Sequence, residues 1–367
     1  MKSVLRILDS SVPGDRTEWT NLWLSWPNRE IQSHPGYGEL FAKPGERVLA
    51  AAYSTTAGHN ILYPFILRTI EDDRGPLPLR DISTPYGYGG PVAWGTDLAP
   101  NDAVSYWSQF DAWAASEHVV SEFIRYGLFH TDDVPYPGEK VTRQENIVVD
   151  LQRPEEALWS SFESKVRRNV NRARREEVQI TVDTTPQGFE KFHPIYIATM
   201  DRLGASADYY FSVDFFGNIH RDFPGQFAYF YAQIDGRPVS AELVLVSTDS
   251  VYFFLGGTLP EGFPKRANEL LKFEVIRWAK DIGKQYFVLG GGFVPHDGLE
   301  RYKRSFAPHG VRQFVTGQRI IDAPAYASLV TAKHGTSNPS TSFFPKYRAG
   351  AANLADHEPK AQVPDHG

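Results

Sequence analysis

The sequence predicts an α/β chain built as two similar units in tandem, each a strand meander followed by a helix and a further strand. Three observations carry that expectation. The chain has 367 residues, more than one domain of roughly 100–200 residues holds. Runs rich in β-branched and aromatic residues, broken by turn residues, come in two groups. The segments FDAWAASEHVVSEFIR and FEVIRWAKDIGKQYFVL also align as one helix-then-strand pattern. Their separation far exceeds a solenoid period, so a duplicated domain is expected.

The elements follow in order. In EWTNLWLSWPNREIQSHPGYGELF, Trp19, Trp23 and Trp26 are spaced by four and three, which predicts a helix burying one face. ERVLAAAYSTTAGHNILYPFILR predicts two strands around a turn at Thr55–His59. DISTPYGYGGPVAW predicts a loop. DAVSYWSQFDAWAASEH predicts a helix with Val104, Trp107, Phe110 and Ala114 on one side, and VVSEFIRYGLF a strand. In the second half, GQFAYFYAQIDGRPVSAELVLVSTDSVYFFLGGT predicts three strands, turning at Asp235–Gly236 and Thr248–Ser250. ANELLKFEVIRWAKDIG predicts a helix with Leu271, Val275, Trp278 and Ile282 on one face and Gly283 as its C-terminal cap. QYFVLGGG is a strand ending in Gly290, Gly291 and Gly292. The end of the chain, 351–367, is polar with prolines and predicts a disordered tail.

Composition narrows the chemistry. With no Cys, thiolate catalysis, disulfides and Cys-based metal sites are excluded. His residues form no HExxH-type pair, so no metal site is expected. No signal-peptide pattern and no apolar run of about 18 residues occurs, which predicts a soluble, cytoplasmic protein without membrane insertion. A net charge of -6 argues against a general nucleic-acid binder and against DNA as a partner. Contact with a polyanion must be local.

One segment supplies that locality. From Lys165 to Arg175, six of eleven residues are Lys or Arg. Trp159, Phe162, Val166, Val170 and Ala173 form an apolar stripe, so a helix packing one face and joining the two halves is expected. Pro154, Glu155 and Glu156 suit its start. Lys165, Arg168, Arg172 and Arg175 share another face. The row is either a solvated face, offset by Glu163, Glu176 and Glu177, or an organised phosphate site of forked cationic donors.

Five phrases now stand in order: PYGYGGP (Pro85–Pro91), KVRRNVNRARREEV (Lys165–Val178), ANELLKFEVIRWAKDIGKQYFVLGGG (Ala267–Gly292), GLERYKRSFAPHG (Gly298–Gly310) and FFPKYR (Phe343–Arg348). Together they resemble the Fem-type (FemABX) aminoacyltransferases and their relatives, proteins with two tandem GNAT acetyltransferase domains. The resemblance spans most of residues 1–350 and is strongest from about 155 to 310. It implies two GNAT-like domains with mixed sheets flanked by helices. Residues 1–150 would form the acceptor side and 151–350 the catalytic donor side.

The resemblance also implies a reaction. An aminoacyl group passes from aminoacyl-tRNA to an amine of a small molecule or peptide precursor, by direct aminolysis without a covalent enzyme intermediate. Aminoacylated tRNA is then co-substrate and partner, and no further cofactor is needed. The long helical arm of Fem enzymes that build peptide bridges has no counterpart, since DRLGASADYYFSVDFF stands there instead. A peptidoglycan acceptor therefore does not follow.

Aminolysis of an ester needs a neutral amine, a positioned carbonyl and oxyanion stabilisation. The resemblance assigns the last role to Lys303 in RYKRSF, where Tyr302 replaces the family's Phe. Glu242, inside the apolar strand SAELVLV, is the candidate base; it is otherwise an exposed or ion-paired strand residue. Donor phosphates fall to Lys165, Arg168, Arg172, Arg175 and Arg304. The acceptor falls to Tyr86, Tyr88, Arg202, Tyr209 and Gly291. Two other readings stay open. Acyl-CoA use would place phosphate on GGTLPEGFPKRANELL, near Gly262, Lys265 and Arg266. A non-catalytic duplicate would only bind RNA through the basic row.

Overall fold

The structure, a computed structural model, describes residues 4–55, 58–96, 99–130, 133–292, 294, 296–335 and 343–349. The expected tail at 351–367 lies outside them. The chain forms two compact units. One draws on Met1–Arg143 and Phe314–Ala355, the other on Gln144–Gln313.

The first unit begins with β1 (Leu5–Asp9), α1 (Pro13–Ser25), α2 (Pro35–Phe41), β2 (Arg47–Ser54), β3 (Asn60–Asp72), β4 (Gly75–Ser83), β5 (Val92–Trp94), α3 (Pro100–Ser116) and β6 (Val119–Arg125). Pro13 and Asp15 favour the first turn of α1. Trp19, Trp23 and Trp26 are all buried, as the spacing predicts. β1 to β4 pair antiparallel in sequence order, and after α3 the chain returns in β6, parallel to β4. On α3, Val104 is 69% exposed, while Ala103, Tyr106, Trp107, Phe110 and Ala114 are buried. Trp107, Phe110 and Ala114 face inward as expected, and Ala103 takes the place expected of Val104. The stretch expected as loop from Asp81 starts inside β4, a strand disguised by Pro76 and Pro78.

In the second unit come β7 (Glu139–Asp150, belonging here from Gln144), α4 (Glu155–Ser161), α5 (Ser164–Arg175), β8 (Gln179–Asp183), α6 (Gly188–Leu203), α7 (Val213–Asp222), β9 (Phe227–Ile234), β10 (Arg237–Val246), β11 (Ser250–Thr258), α8 (Ala267–Asp281), β12 (Tyr286–Gly290) and α9 (Gly298–Phe306). β8 to β11 pair antiparallel in order. After α8, β12 lies parallel to β11, and β7 pairs antiparallel with β12. This repeats the order β1 to β6. The apolar core joins α4, α5 and α8 to one face of the sheet through Phe162, Val166, Val170, Leu271, Val275, Phe230 and Val244.

β13 (Val311–Ile320) then returns to the first unit, where Thr316–Ile320 pair with Ser121–Arg125 of β6; α10 (Ala323–His334) follows. The second unit thus ends near Gln313, and the segment expected to complete it completes the first unit instead. The single basic helix is two, since Phe162 and Glu163 both leave helical geometry (ψ 148° and 149°). α5 lies wholly inside the second unit rather than joining the halves.

Candidate active site

β11 and β12 pair only at Ser250–Tyr252 against Tyr286–Val288, although β11 continues beside β10 to Thr258. Among the described residues, the edge of β11 beyond Tyr252 therefore has no strand partner on that side. Parallel strands that diverge open a slot lined by backbone donors and acceptors. β12 is irregular between Val288 and Gly290, and Gly290 turns at φ +80°, a conformation that favours glycine.

The equivalent place in the first unit is closed. There the chain past β4 stays on β6: Thr84 N–H donates to Phe123 O (3.1 Å) and Gly127 N–H to Gly89 O (2.9 Å). The buried Arg125 donates to Ser83 Oγ and Thr84 O, both at 3.1 Å. Tyr86 and Tyr88 belong to this closing segment. Tyr86 accepts on its carbonyl from Tyr37 OH (3.0 Å), its ring meets Phe41, and Tyr88 packs on Phe314. Among the described residues, the slot stays open in the second unit and not in the first.

Lys303 stands at that slot. Asp297 caps α9 by accepting from the Glu300 N–H (2.7 Å), which fixes the start of the helix carrying the lysine. A Cβ on Gly292 would meet Asp297 Oδ1 at 2.4 Å, so the approach to this cap needs glycine. Lys303 is 9% exposed; its Nζ donates to the Gly291 carbonyl just past β12 and lies 5.9 Å from the ring centre of Phe253, the first β11 residue beyond the pairing. The ammonium therefore spans the place where the two strands part. Gly291 contributes a carbonyl that holds Lys303.

Behind Phe253 lies a charged pair. Glu242 of β10 and Lys272 of α8 are 2% and 3% exposed and meet at 2.7 Å. Burial pushes the Glu242 carboxyl up and the Lys272 ammonium down, and each partner opposes the other's shift. Lys272 Nζ lies 3.9 Å from the Phe253 ring centre. Glu242 Oε2 is buried without a hydrogen-bond partner among the described residues. Glu242 is thus ion-paired in the core. Sequence reading missed Lys272, yet a signal existed: a lysine on the apolar stripe of α8 facing a glutamate in an apolar strand.

Lys165, Arg168, Arg172 and Arg175 all stand exposed on α5, opposite buried Val166, Val170 and Ala173. Among the described residues, only Arg172 of these four reaches an ion pair, 3.9 Å to Glu176. Glu176 also meets Lys265 at 3.4 Å, which brings the row to the start of α8. Arg167 and Arg174 serve the fold. Arg167 donates to Ser160 O and Phe162 O, closing α4, while Arg174 lies over Phe273 and pairs with Glu274. Arg304 is held by Glu145 (2.6 Å) and Glu300 (2.5 Å), so its charge is balanced within the fold. Arg202 lies over Phe263 and donates to Thr258 O at the far end of β11 (3.4 Å). Tyr209 is buried, its carbonyl accepting from Tyr196 OH. These two lie in the second unit and Tyr86 and Tyr88 in the first. Among the described residues, no group of three or more His, Asp or Glu is placed to hold a metal, and no helix is long and apolar enough to cross a membrane.

A meander, a helix and a parallel strand, present twice in one chain, with that strand diverging from its neighbour in the second unit, define a protein of the GNAT acyltransferase fold in tandem. Residues 160–304 match the family described as the acetyltransferase (GNAT) domain. The fold is that of the Fem-type tandem proteins. FemX superposes with a TM-score of 0.67 at 13% identity, over 89% of this chain and 99% of that one. A conserved protein of unknown function from Bacteroides thetaiotaomicron gives 0.53 at 8% identity, over 86% and 100%. L-PGS from Bacillus licheniformis gives 0.51 at 13%, over 89% and 97%. Among curated proteins, none matches the chain in sequence.

Proposed function

We propose that the protein is an aminoacyltransferase that moves an aminoacyl group from aminoacyl-tRNA to an amine of a small molecule or peptide precursor. The observation that carries this reading is the open slot between β11 and β12 with Lys303 at its parting point, on the same unit as the exposed cationic row of α5. The reading places the ester in the slot and the tRNA phosphates on Lys165, Arg168, Arg172 and Arg175. The neutral amine attacks the ester carbonyl, and Lys303 stabilises the oxyanion. The C–N bond forms, the ester C–O bond breaks, and the amine's proton ends on the leaving hydroxyl. The chain has no cysteine, and the reaction needs no nucleophilic side chain. The buried pairing of Glu242 leaves proton removal to the substrates or solvent. A cytoplasmic location goes with this reading, because charged tRNA is found there.

One observation favours a second reading, acyl-CoA as donor. α8 begins without a side-chain cap after Arg266, itself at φ +58°, and its uncapped first N–H groups, with Lys265 two residues before the helix, would suit a donor phosphate in this reading. The two readings separate in one experiment. The protein is incubated with charged bulk tRNA and a panel of amines, with and without ribonuclease. Product that disappears with ribonuclease supports the first; transfer from acetyl-CoA alone overturns it in favour of the second.

A further inference from the structure

We infer that Arg143, in the part of β7 that belongs to the first unit, is a carboxylate-binding residue, taking the carboxylate of a small organic acid or of an acceptor that carries one. The observation behind it is a guanidinium that leaves water without meeting an acid. Arg143 is half-buried, and burial weakens its hold on the proton while Glu139 opposes that shift from beyond ion-pair distance. Glu139 Oε2 accepts instead from Gln318 Nε2 (3.1 Å). Elsewhere in the same unit, Arg16, Arg68, Arg319 and Arg348 each meet a carboxylate. A guanidinium taken partly out of water without a counter-ion is destabilising, and a bound anion offsets that cost.

The geometry selects the anion. Arg143 Nε donates to Thr316 Oγ1 of β13 (2.9 Å), and that hydroxyl donates to the Val141 carbonyl (3.4 Å). Thr316 is 2% exposed, so the anchor is fixed. The contact engages Nε and leaves the end of the guanidinium that carries the two η nitrogens. Among the described residues, neither η nitrogen has a hydrogen-bond or ion-pair partner. Their parallel N–H groups match the two oxygens of one carboxylate. A phosphate dianion calls for more than one cation, and the neighbouring cations are turned elsewhere. Arg125, opposite Thr316 on β6, donates to Ser83 Oγ and Thr84 O, and Lys140 lies over the Tyr126 ring. The site stands without the transfer reading; only its use for an acceptor rests on that reading.

Binding is measured first, with no donor present. In the full chain labelled with 15N-arginine, the Arg143 Nε–H resonance is assigned by its loss in Arg143→Lys or Arg143→Gln. Sodium acetate is then titrated, with sodium chloride at equal ionic strength as the control. The resonance should shift saturably with acetate, and at least about 10-fold more tightly than with chloride. No saturable shift, or the same shift with chloride, overturns the inference. Tighter saturation by inorganic phosphate than by acetate overturns it as well. A second arm separates the two sources of the carboxylate. In the transfer assay each amino-acid acceptor is paired with its amide, and Arg143→Gln should raise KM for the acid relative to the amide by about 10-fold or more if the carboxylate is the acceptor's. An unmoved ratio beside intact acetate binding in the wild type assigns the site to a separate acid and supports it. Absence of transfer from any donor sinks the function proposed above and leaves the acetate result in force.

Discussion

Lys303 reaches the Gly291 carbonyl from a short helix whose start is fixed by Asp297. The sequence picked out this lysine and Glu242, because a motif and an apolar strand made them conspicuous. It did not pick out Lys272, because the ion pair between β10 and α8 joins residues 30 apart in sequence, and a lysine on the apolar stripe of α8 is the sole local hint of it. Arg304 was legible as a cation but not as the partner of Glu145, which lies 159 residues away. Lys303→Met should lower kcat/KM by about 100-fold or more, as loss of an oxyanion donor does, with unchanged circular dichroism. Wild-type rates in that variant would remove Lys303 from the chemistry.

Asp81 gives a prediction in pH. It is fully buried and accepts from Arg68 Nε (2.8 Å), Tyr347 OH (2.9 Å) and Arg348 Nε (2.5 Å). Burial pushes its carboxyl up, but Arg68 and Arg348 outweigh that and hold it below its ordinary value. Its stabilising contribution is thus complete above the unfolded carboxylate value near ~3.9 and fades as pH falls toward the lowered folded value. Asp81→Asn should lower the unfolding free energy at pH 7 by about 3 kcal/mol, removing the negative charge that buried Arg68 and half-buried Arg348 share. The deficit should shrink in urea titrations repeated at pH 3.

Among elements, α5 was the most legible, since its apolar stripe and cationic row follow from spacing alone. Its separation from α4 was not, because the stripe runs through Phe162 with unbroken helical spacing while the backbone breaks there. If α5 receives donor phosphates, Arg168→Glu with Arg172→Glu should weaken tRNA binding and flatten its dependence on salt. Equal affinity and slope in filter binding would leave α5 a solvated face. Gly310, between α9 and β13, tests another element. A Cβ there would lie 2.0 Å from the Val148 carbonyl of β7, so Gly310→Ala must push that strand away. We expect a lower melting temperature than the same change gives at exposed Gly14, where nothing crowds the added carbon.

At the scale of the whole molecule, the duplication was legible because two helix–strand segments align by eye, and each strand turn was marked by local residues. The boundary was not. Strand partners are chosen by contacts between distant segments, and nothing in VRQFVTGQRI says that it pairs with β6. The contrast between an open slot in one unit and a closed one in the other was also invisible, since it depends on Arg125 and Thr84, 41 residues apart, meeting between neighbouring parallel strands.

β13 also has a consequence during synthesis. The ribosome delivers every strand of the second unit before it releases the one that flanks β6. The N-terminal unit emerges first but finishes last, against the usual order in which domains settle as they appear. Nascent chains stalled so that Gln313 has cleared the exit tunnel while the rest of β13 has not should show a protease-resistant Gln144–Gln313 core and a Met1–Arg143 segment that stays cleavable until β13 follows it out.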